Sequence, residues 1–260
     1  MRLAPRMSEL VRINQSTFIQ GHRIHENFRT VQLTCRWLHA RRCPAVLLKV
    51  DLAKVFDTVG WPFLLEVLEH AGFPTRWRDW ISAILSSASA KVLVNGRPRN
   101  QICHARGLRQ GDPLSPLLFV IVMEVLNALI AEADRRSVFA ALLGDAIKYR
   151  ASVYAENLLI FLSPVVEDFN CIRQMLELFT GALGLATNVD KGLITPIRCT
   201  SDQVAAIQQV FPCRVQEFPT RYLGAPLSLS RLSRSEERRL VDALASRTAT
   251  WKAGLLTNAG

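Results

Sequence analysis

The sequence predicts an α+β fold in which an antiparallel sheet is covered on one face by helices. Three patterns predict it: short apolar runs typical of buried strands, two hairpin signals, and longer stretches with apolar residues at helical spacing. The chain has 260 residues, 49% hydrophobic and 21% charged, which is typical of a globular protein with a sizeable core.

The net charge indicates the kind of binding partner, and the cysteine spacing indicates which metal and disulfide sites are not expected. The net charge of +10 favours an anionic partner, of which nucleic acid is the commonest. The six cysteines are scattered without a CxxC pair, which argues against both a zinc ribbon and a disulfide framework. The first twelve residues, MRLAPRMSELVR, lack the apolar core of a signal peptide.

The first half of the chain is predicted to hold a buried strand, two helices and a hairpin. Residues 45–50, AVLLKV, are typical of a fully buried strand and are followed by Asp51. WPFLLEVLEHAGFP has helical spacing and ends at Gly72, and WRDWISAILSSA continues as a second helix. AKVLVNGRPR carries Asn-Gly at 95–96, a strong hairpin signal, whereas residues 7–42 mix short helical patterns with polar loop.

A long apolar helix is predicted after the glycine-bearing loop RGLRQGDP. Its longest apolar run, Leu117 to Leu129, is interrupted by Glu124 and Asn127. We expect this run to be too short to span a bilayer and to form a buried helix, so no membrane partner is expected.

The stretch SVYAENLLIFL predicts a second hairpin over 151–163. Two apolar runs flank Glu156 and Asn157, which we expect at the tip. An amphipathic helix over 166–183 and, after PTRYLGAPL, a basic helix over 233–252 complete the pattern.

The predicted strand end and hairpin tip bring acidic residues together. If the two elements are neighbours in one sheet, Asp51 meets Glu156 and Asn157. Carboxylates on rigid strand ends hold Mg²⁺, a hard cation that takes oxygen ligands and substrate phosphates. The alternative is that Asp51 and Asp57 cap the helix that follows; we favour that alternative for Asp57 but not for Asp51.

Several motifs resemble those of reverse transcriptases of non-LTR (LINE-type) retrotransposons, especially plant ones. They are KVDLAKVFD, GLRQGDPLSPLLFVIVMEVLNALI, YAEN and RYLGAPLS, in this order, and NQSTFIQGHRIHENF and WKAGLLTNAG extend the likeness over nearly the whole chain. The resemblance implies a right-hand polymerase, with fingers and palm over 1–228 and the start of a thumb over 229–260. It implies RNA-directed DNA synthesis with an RNA template, a DNA primer, deoxynucleoside triphosphates and Mg²⁺, with Mn²⁺ as an alternative.

The resemblance also implies roles for individual residues. The implied roles are catalysis for Asp51, Glu156 and Asn157, metal binding for Asp51 and Glu156, a gate under the incoming sugar for Phe56, contacts to nucleotide and template for Arg109, Gln110, Gly111 and Lys191, and the primer grip for Tyr222, Leu223 and Gly224.

The hairpin departs from the family pattern. Where the family has Tyr-Ala-Asp-Asp, this chain has Tyr154-Ala155-Glu156-Asn157. The carboxylate of Glu156 lies one methylene further out, and Asn157 offers a neutral amide oxygen, so metal binding is expected to weaken. Val55, where alanine is usual, is a further departure, and together these suggest a degenerate copy with activity near or below detection.

Two other outcomes remain open. One is a non-catalytic nucleic-acid-binding remnant that keeps a basic cleft, and the other is a product that never accumulates as folded protein. The arginines near the glycine loop and in the terminal helix favour nucleic-acid binding, although a solvated helix face explains the second group equally well. Because the family works on chromosomal DNA, we expect the protein in the nucleus.

Overall fold

A five-stranded sheet lies at the centre of the computed structural model, which describes residues 3–52, 54–142, 147, 149–184 and 192–247. The strands are β1 (Ala45–Asp51), β2 (Ser89–Val94), β3 (Arg97–Cys103), β4 (Ala151–Tyr154), β5 (Asn157–Leu162), β6 (Leu193–Ile197), β7 (Arg214–Val215), β8 (Thr220–Tyr222) and β9 (Ala225–Leu227). The sheet order is β4-β5-β1-β6-β7, antiparallel except for the parallel pair β6–β7. The other four strands form two hairpins, β2–β3 and β8–β9.

Nine α-helices lie in the part of the chain that the structure describes. They are α1 (Met7–Leu10), α2 (Ile24–Ala40), α3 (Val55–Thr58), α4 (Trp61–His70), α5 (Thr75–Ser86), α6 (Ser115–Arg135), α7 (Val166–Ala182), α8 (Ser201–Val210) and α9 (Arg234–Arg247). The predicted strand, hairpins and helices are confirmed within the described residues. The predicted basic helix over 233–252 corresponds to α9, and residues 248–252 lie outside the described part.

The β2–β3 hairpin shows why local sequence was informative. Asn95 and Gly96 form a two-residue turn with φ values of 52° and 75°. Both residues are therefore left-handed, which is the geometry of a type I′ turn and the reason that Asn-Gly favours it.

Both faces of the central sheet are buried, so the expectation that helices cover one face is wrong. Along β1, Val46 and Leu48 face a core cluster that includes residues of α6 and α7. Leu47 faces the opposite way, into a second cluster with residues of α2 and the β8–β9 hairpin. The alternation of a strand sends successive side chains to opposite faces, and here both are apolar. This explains why the strand sequence is a continuous apolar run.

Helix α6 is longer than the apolar run suggested. It has 21 residues and is long and apolar enough, by length and composition, to cross a membrane. Here it packs into the core, where Glu124 accepts hydrogen bonds from Arg12 at 2.5 Å and from Asn127 at 2.9 Å. Burial against the sheet accounts for its apolar character, and the Arg12 contact satisfies the buried carboxylate.

Candidate active site at the end of the central sheet

The end of β1 lies directly beside the start of β5. In the antiparallel register, Asp51 is the partner of Asn157, and the Leu52 N–H donates to the Glu156 carbonyl at 3.3 Å. Asp51 and Glu156 are exposed, and Asn157 is half-buried. The fold therefore brings the three polar residues together at one exposed end of the central strands.

The hairpin turn lies one residue earlier than expected. Asn157 pairs with Tyr154 as the first residue of β5, so the two turn residues are Ala155 and Glu156. Ala155 has a φ of 51°, a left-handed conformation that closes a two-residue turn. Its apolar side chain made it resemble the end of the first strand. Because cross-strand partners project to the same face, the side chains of Asn157 and Asp51 share one face of the sheet.

The donor chemistry of this edge suits one hard divalent cation. Asp51 and Glu156 supply carboxylates and Asn157 an amide oxygen, which are the ligand types that Mg²⁺ takes together with water and substrate phosphates. Within the part of the chain that the structure describes, no group of three or more His, Cys, Asp or Glu residues is arranged to hold a metal ion. Asp51 and Glu156 are the two residues of this edge that would hold a divalent ion through carboxylates.

The glycine-bearing loop is fastened to α3 by backbone contacts. The Gly107 N–H donates to the Val59 carbonyl at 2.8 Å, and the Leu108 N–H donates to the Phe56 carbonyl at 2.9 Å. The Trp61 indole N–H donates to the Gly107 carbonyl at 2.9 Å. A Cβ on Gly107 would overlap the carbonyl group of Asp57, and its φ of 82° is left-handed. Only glycine fits this close approach of two backbones.

Side chains of the same loop face the solvent beside α3 and α5. Gln110 donates to the Asp57 carboxylate at 2.9 Å, and Arg109 reaches the Ile84 carbonyl and the Ser87 hydroxyl, each at 3.4 Å. Gly111 has a φ of 85°, with open space where a Cβ would lie.

Asp57 does not cap a helix, contrary to our expectation. It lies inside the single turn of α3, which has Lys54 at its N-cap and no side-chain cap. Its carboxylate instead binds Gln110, so it orients a loop residue. Phe56 is half-buried and packs against Phe119, with ring centroids 5.5 Å apart.

The β8–β9 hairpin covers the sheet face that carries Asp51. Tyr222 is buried, and its hydroxyl is hydrogen-bonded to the Ser152 hydroxyl of β4 at 3.1 Å. Burial raises the pKa of Tyr222 above its ordinary value, against the opposing effect of the hydrogen bond to Ser152. The side chain thus anchors the hairpin, and the turn residues Leu223 and Gly224 are its more accessible part. Lys191 lies outside the described residues.

Two residues far away in the sequence contact the β4–β5 hairpin, and the sequence reasoning missed both. The Ala155 N–H donates to the Thr17 hydroxyl oxygen at 2.7 Å, and the Asn27 amide donates to the Val153 carbonyl at 2.9 Å. Thr17 and Ala155 are separated by 138 positions. A local pattern carries no signal for a contact at such a separation.

Comparisons with known proteins agree with this architecture. Residues 1–227 match the family "Reverse transcriptase (RNA-dependent DNA polymerase)". The Pol polyprotein of retrotransposable element R2DM of Drosophila melanogaster is 26% identical over 224 residues, which is 86% of this chain and 20% of that protein. An R2 Pol polyprotein of Popillia japonica is 32% identical over 145 residues, 56% of this chain and 23% of that protein.

A third relative is the uncharacterized 149 kDa protein of transposon TX1 of Xenopus laevis. It is 22% identical over 191 residues, 74% of this chain and 14% of that protein. The chain thus spans less than a quarter of the length of these relatives, which confirm the resemblance to non-LTR retrotransposon polyproteins. With a family match over residues 1–227, the chain belongs to the reverse transcriptase (RNA-dependent DNA polymerase) family.

Proposed function

We propose that this chain forms the fingers and palm of a reverse transcriptase over 1–228, followed by the start of a thumb, and that its polymerase activity is strongly impaired. The ancestral reaction is RNA-templated DNA synthesis: the primer 3′-hydroxyl gives its proton to water, its oxygen bonds to the α-phosphorus of a deoxynucleoside triphosphate, and the bond between the α-phosphorus and the bridging oxygen breaks, so that pyrophosphate leaves. The observation that carries the proposal is the register of Asp51 opposite Asn157 in a chain of this family.

Different residues of the chain would bind the metal ion and the incoming nucleotide. Asp51 and Glu156 would hold the divalent ion, Mg²⁺ or Mn²⁺, and the chemistry that the bound ion supplies is charge stabilisation of the reacting phosphate oxygens. Phe56, half-buried against Phe119, would lie under the sugar of the incoming nucleotide. Gln110 donates a hydrogen bond to Asp57, the residue next to Phe56, and would contact the incoming nucleotide from there.

The remaining residues implied by the resemblance would contact the template, the primer or the triphosphate. Arg109 and Gly111 lie on the exposed loop before α6, where a cation and an unobstructed backbone suit phosphate and template contacts. Lys191 would approach the triphosphate. Leu223 and Gly224 would contact the primer strand through the turn that Tyr222 anchors.

The impairment follows from the exchanged hairpin. The family pattern offers two aspartates where this chain has Glu156 and Asn157, so one negative charge is lost and another is displaced by a methylene. If the altered site loses about 3–6 kcal/mol of transition-state stabilisation, the rate falls by roughly 10²–10⁴-fold.

Primer extension on an RNA template tests the proposal. The chain is compared with the E156D/N157D variant in Mg²⁺ and in Mn²⁺, and extension is expected only, or far more strongly, in the variant. Equal extension by both proteins would show that Glu156 serves fully as a ligand, and the claim of impairment would then be wrong.

A second candidate function is a non-catalytic nucleic-acid-binding remnant that acts in the nucleus. The net charge of +10 and the exposed cations Arg97, Arg99, Arg106 and Arg109 around the glycine loop favour it. Binding to an RNA–DNA duplex should then weaken steeply as salt rises, because condensed counterions are released on binding. Salt-sensitive binding with no extension, even by the E156D/N157D variant, would favour this candidate over the first.

A further inference from the structure

We propose that the N-terminal segment 14–17 is a latch for the β4–β5 hairpin, and that Thr17 is a positioning residue for the carboxylate at position 156, whether glutamate or aspartate. The catalytic importance of this position rests on the proposed function, whereas the latch itself rests on the contacts alone. It connects a segment near the start of the chain to the turn that carries one of the two carboxylates of the site.

The latch runs along the free edge of β4 and is joined to it by a single bridge. Gln15 forms a parallel bridge with Val153, and the Val153 N–H donates to the Asn14 carbonyl at 3.0 Å. The carbonyl of Val153 is held on the same edge, since the Asn27 amide donates to it at 2.9 Å. Without this segment β4 would be an edge strand with unpaired backbone groups.

The segment is also fastened to the core on its other side. The Asn14 amide donates to the Asn127 side-chain oxygen of α6 at 2.8 Å and to the Ala151 carbonyl at 3.0 Å. Gln15, Ser16 and Thr17 are all buried, with exposed fractions of 0%, 5% and 4%. The latch is therefore a fixed part of the fold beside the turn, and its position is set by α6 and β4 together.

Thr17 acts on the turn itself. Its hydroxyl oxygen accepts the Ala155 N–H at 2.7 Å. Ala155 has a φ of 51°, a left-handed conformation that glycine adopts readily and that disfavours alanine because of its Cβ. The hydrogen bond offsets this disadvantage. Since Glu156 is the next residue, the direction of its side chain depends on the backbone conformation that Thr17 stabilises.

Four substitutions separate the latch from a general effect on folding. Thr17→Val keeps the shape and removes the acceptor, whereas Thr17→Ser keeps the hydroxyl. Ala155→Gly removes the conformational penalty and should compensate for Thr17→Val. Thr34→Val is the matched control, because the Thr34 hydroxyl donates to the Thr30 carbonyl on the exposed face of α2, away from the hairpin.

Amide hydrogen exchange of Ala155, followed by NMR, is the direct measurement. Loss of one hydrogen bond should speed this exchange about 2- to 10-fold in Thr17→Val and leave it unchanged in Thr17→Ser and Thr34→Val. Unchanged exchange in Thr17→Val, or an equal rise in Thr34→Val, would overturn the latch.

Primer extension in the E156D/N157D background tests the positioning role. There Thr17→Val should slow extension, Ala155→Gly should restore it, and Thr34→Val should leave it unchanged. If exchange responds to Thr17→Val but extension does not, the positioning role is wrong. If exchange responds as expected and no protein extends the primer, the latch stands and the proposed polymerase function fails.

Discussion

Gly107→Ala should destabilise the fold by about 2–5 kcal/mol, because this glycine joins the loop before α6 to α3. Its φ of 82° costs alanine about 1–2 kcal/mol on backbone grounds alone. The added Cβ would also overlap the Asp57 carbonyl oxygen and lie 2.7 Å from the carbonyl carbon, so the two backbones must separate. Separation weakens the bonds from Gly107 to Val59 and from Leu108 to Phe56, each contributing about 0.5–1.5 kcal/mol.

Gly111→Ala is the matched control for this effect. Gly111 has a nearly identical φ of 85°, but open space surrounds its missing Cβ. It should cost only the backbone term of about 1–2 kcal/mol. Urea unfolding followed by tryptophan fluorescence measures the free energy of unfolding of both variants. Trp61 reports on the loop because its indole N–H is hydrogen-bonded to the Gly107 carbonyl. Equal destabilisation by the two substitutions would refute the account of the close approach.

Two further substitutions test the core and its response to pH. Arg150→Met should destabilise the fold by about 3–5 kcal/mol, because it removes the cation that lies 4.0 Å from the carboxylate of Asp168, whose side chain is only 2% exposed. The 2.6 Å contact from Arg150 to the partly exposed Asp134 is lost as well. Arg135→Met, at an exposed pair, should leave the urea midpoint nearly unchanged. Tyr222→Phe should flatten the alkaline loss of stability. Burial raises the folded-state pKa of Tyr222, so above about pH 10 the unfolded chain ionises first and stability falls as pH rises. Urea midpoints from pH 8 to 11 measure this, and parallel curves for both proteins would contradict it.

Local periodicity predicted much of the sheet and the closeness of Asp51 to the tip of the β4–β5 hairpin. The apolar run before Asp51 is a strand because both of its faces are buried, and the Asn-Gly pair fixed the β2–β3 turn. The pairing of Asp51 with Asn157, beside Glu156 in the turn, needs only one further assumption, that the strand and the hairpin are neighbours. The predicted turn, Glu156 and Asn157, lies one residue further along the chain than the observed one. The reason is that Ala155 is apolar and resembles strand sequence, although it adopts a left-handed conformation.

Contacts between distant segments could not be predicted in this way. Helix α2 has 17 residues, yet its buried positions are spaced one turn apart among polar ones, so its sequence indicates only short helical patterns. It covers the second face of the sheet, which made the one-face expectation wrong. The hydrogen bond from Ala155 to Thr17 and that from Gln110 to Asp57 join polar side chains and loops that carry no periodic signal.

The metal-holding role of the sheet edge is the central claim, and Mn²⁺ binding followed by electron paramagnetic resonance tests it most directly. The titration compares the unchanged chain, Asn157→Asp, E156D/N157D, and Asp51→Asn in the E156D/N157D background. The affinity for Mn²⁺ should rise from the first protein to the third, because Asn157→Asp adds a carboxylate opposite Asp51 and Glu156→Asp shortens the neighbouring side chain by one methylene. The affinity should fall when Asp51 is neutralised. Equal Mn²⁺ affinity in all four proteins would contradict the claim.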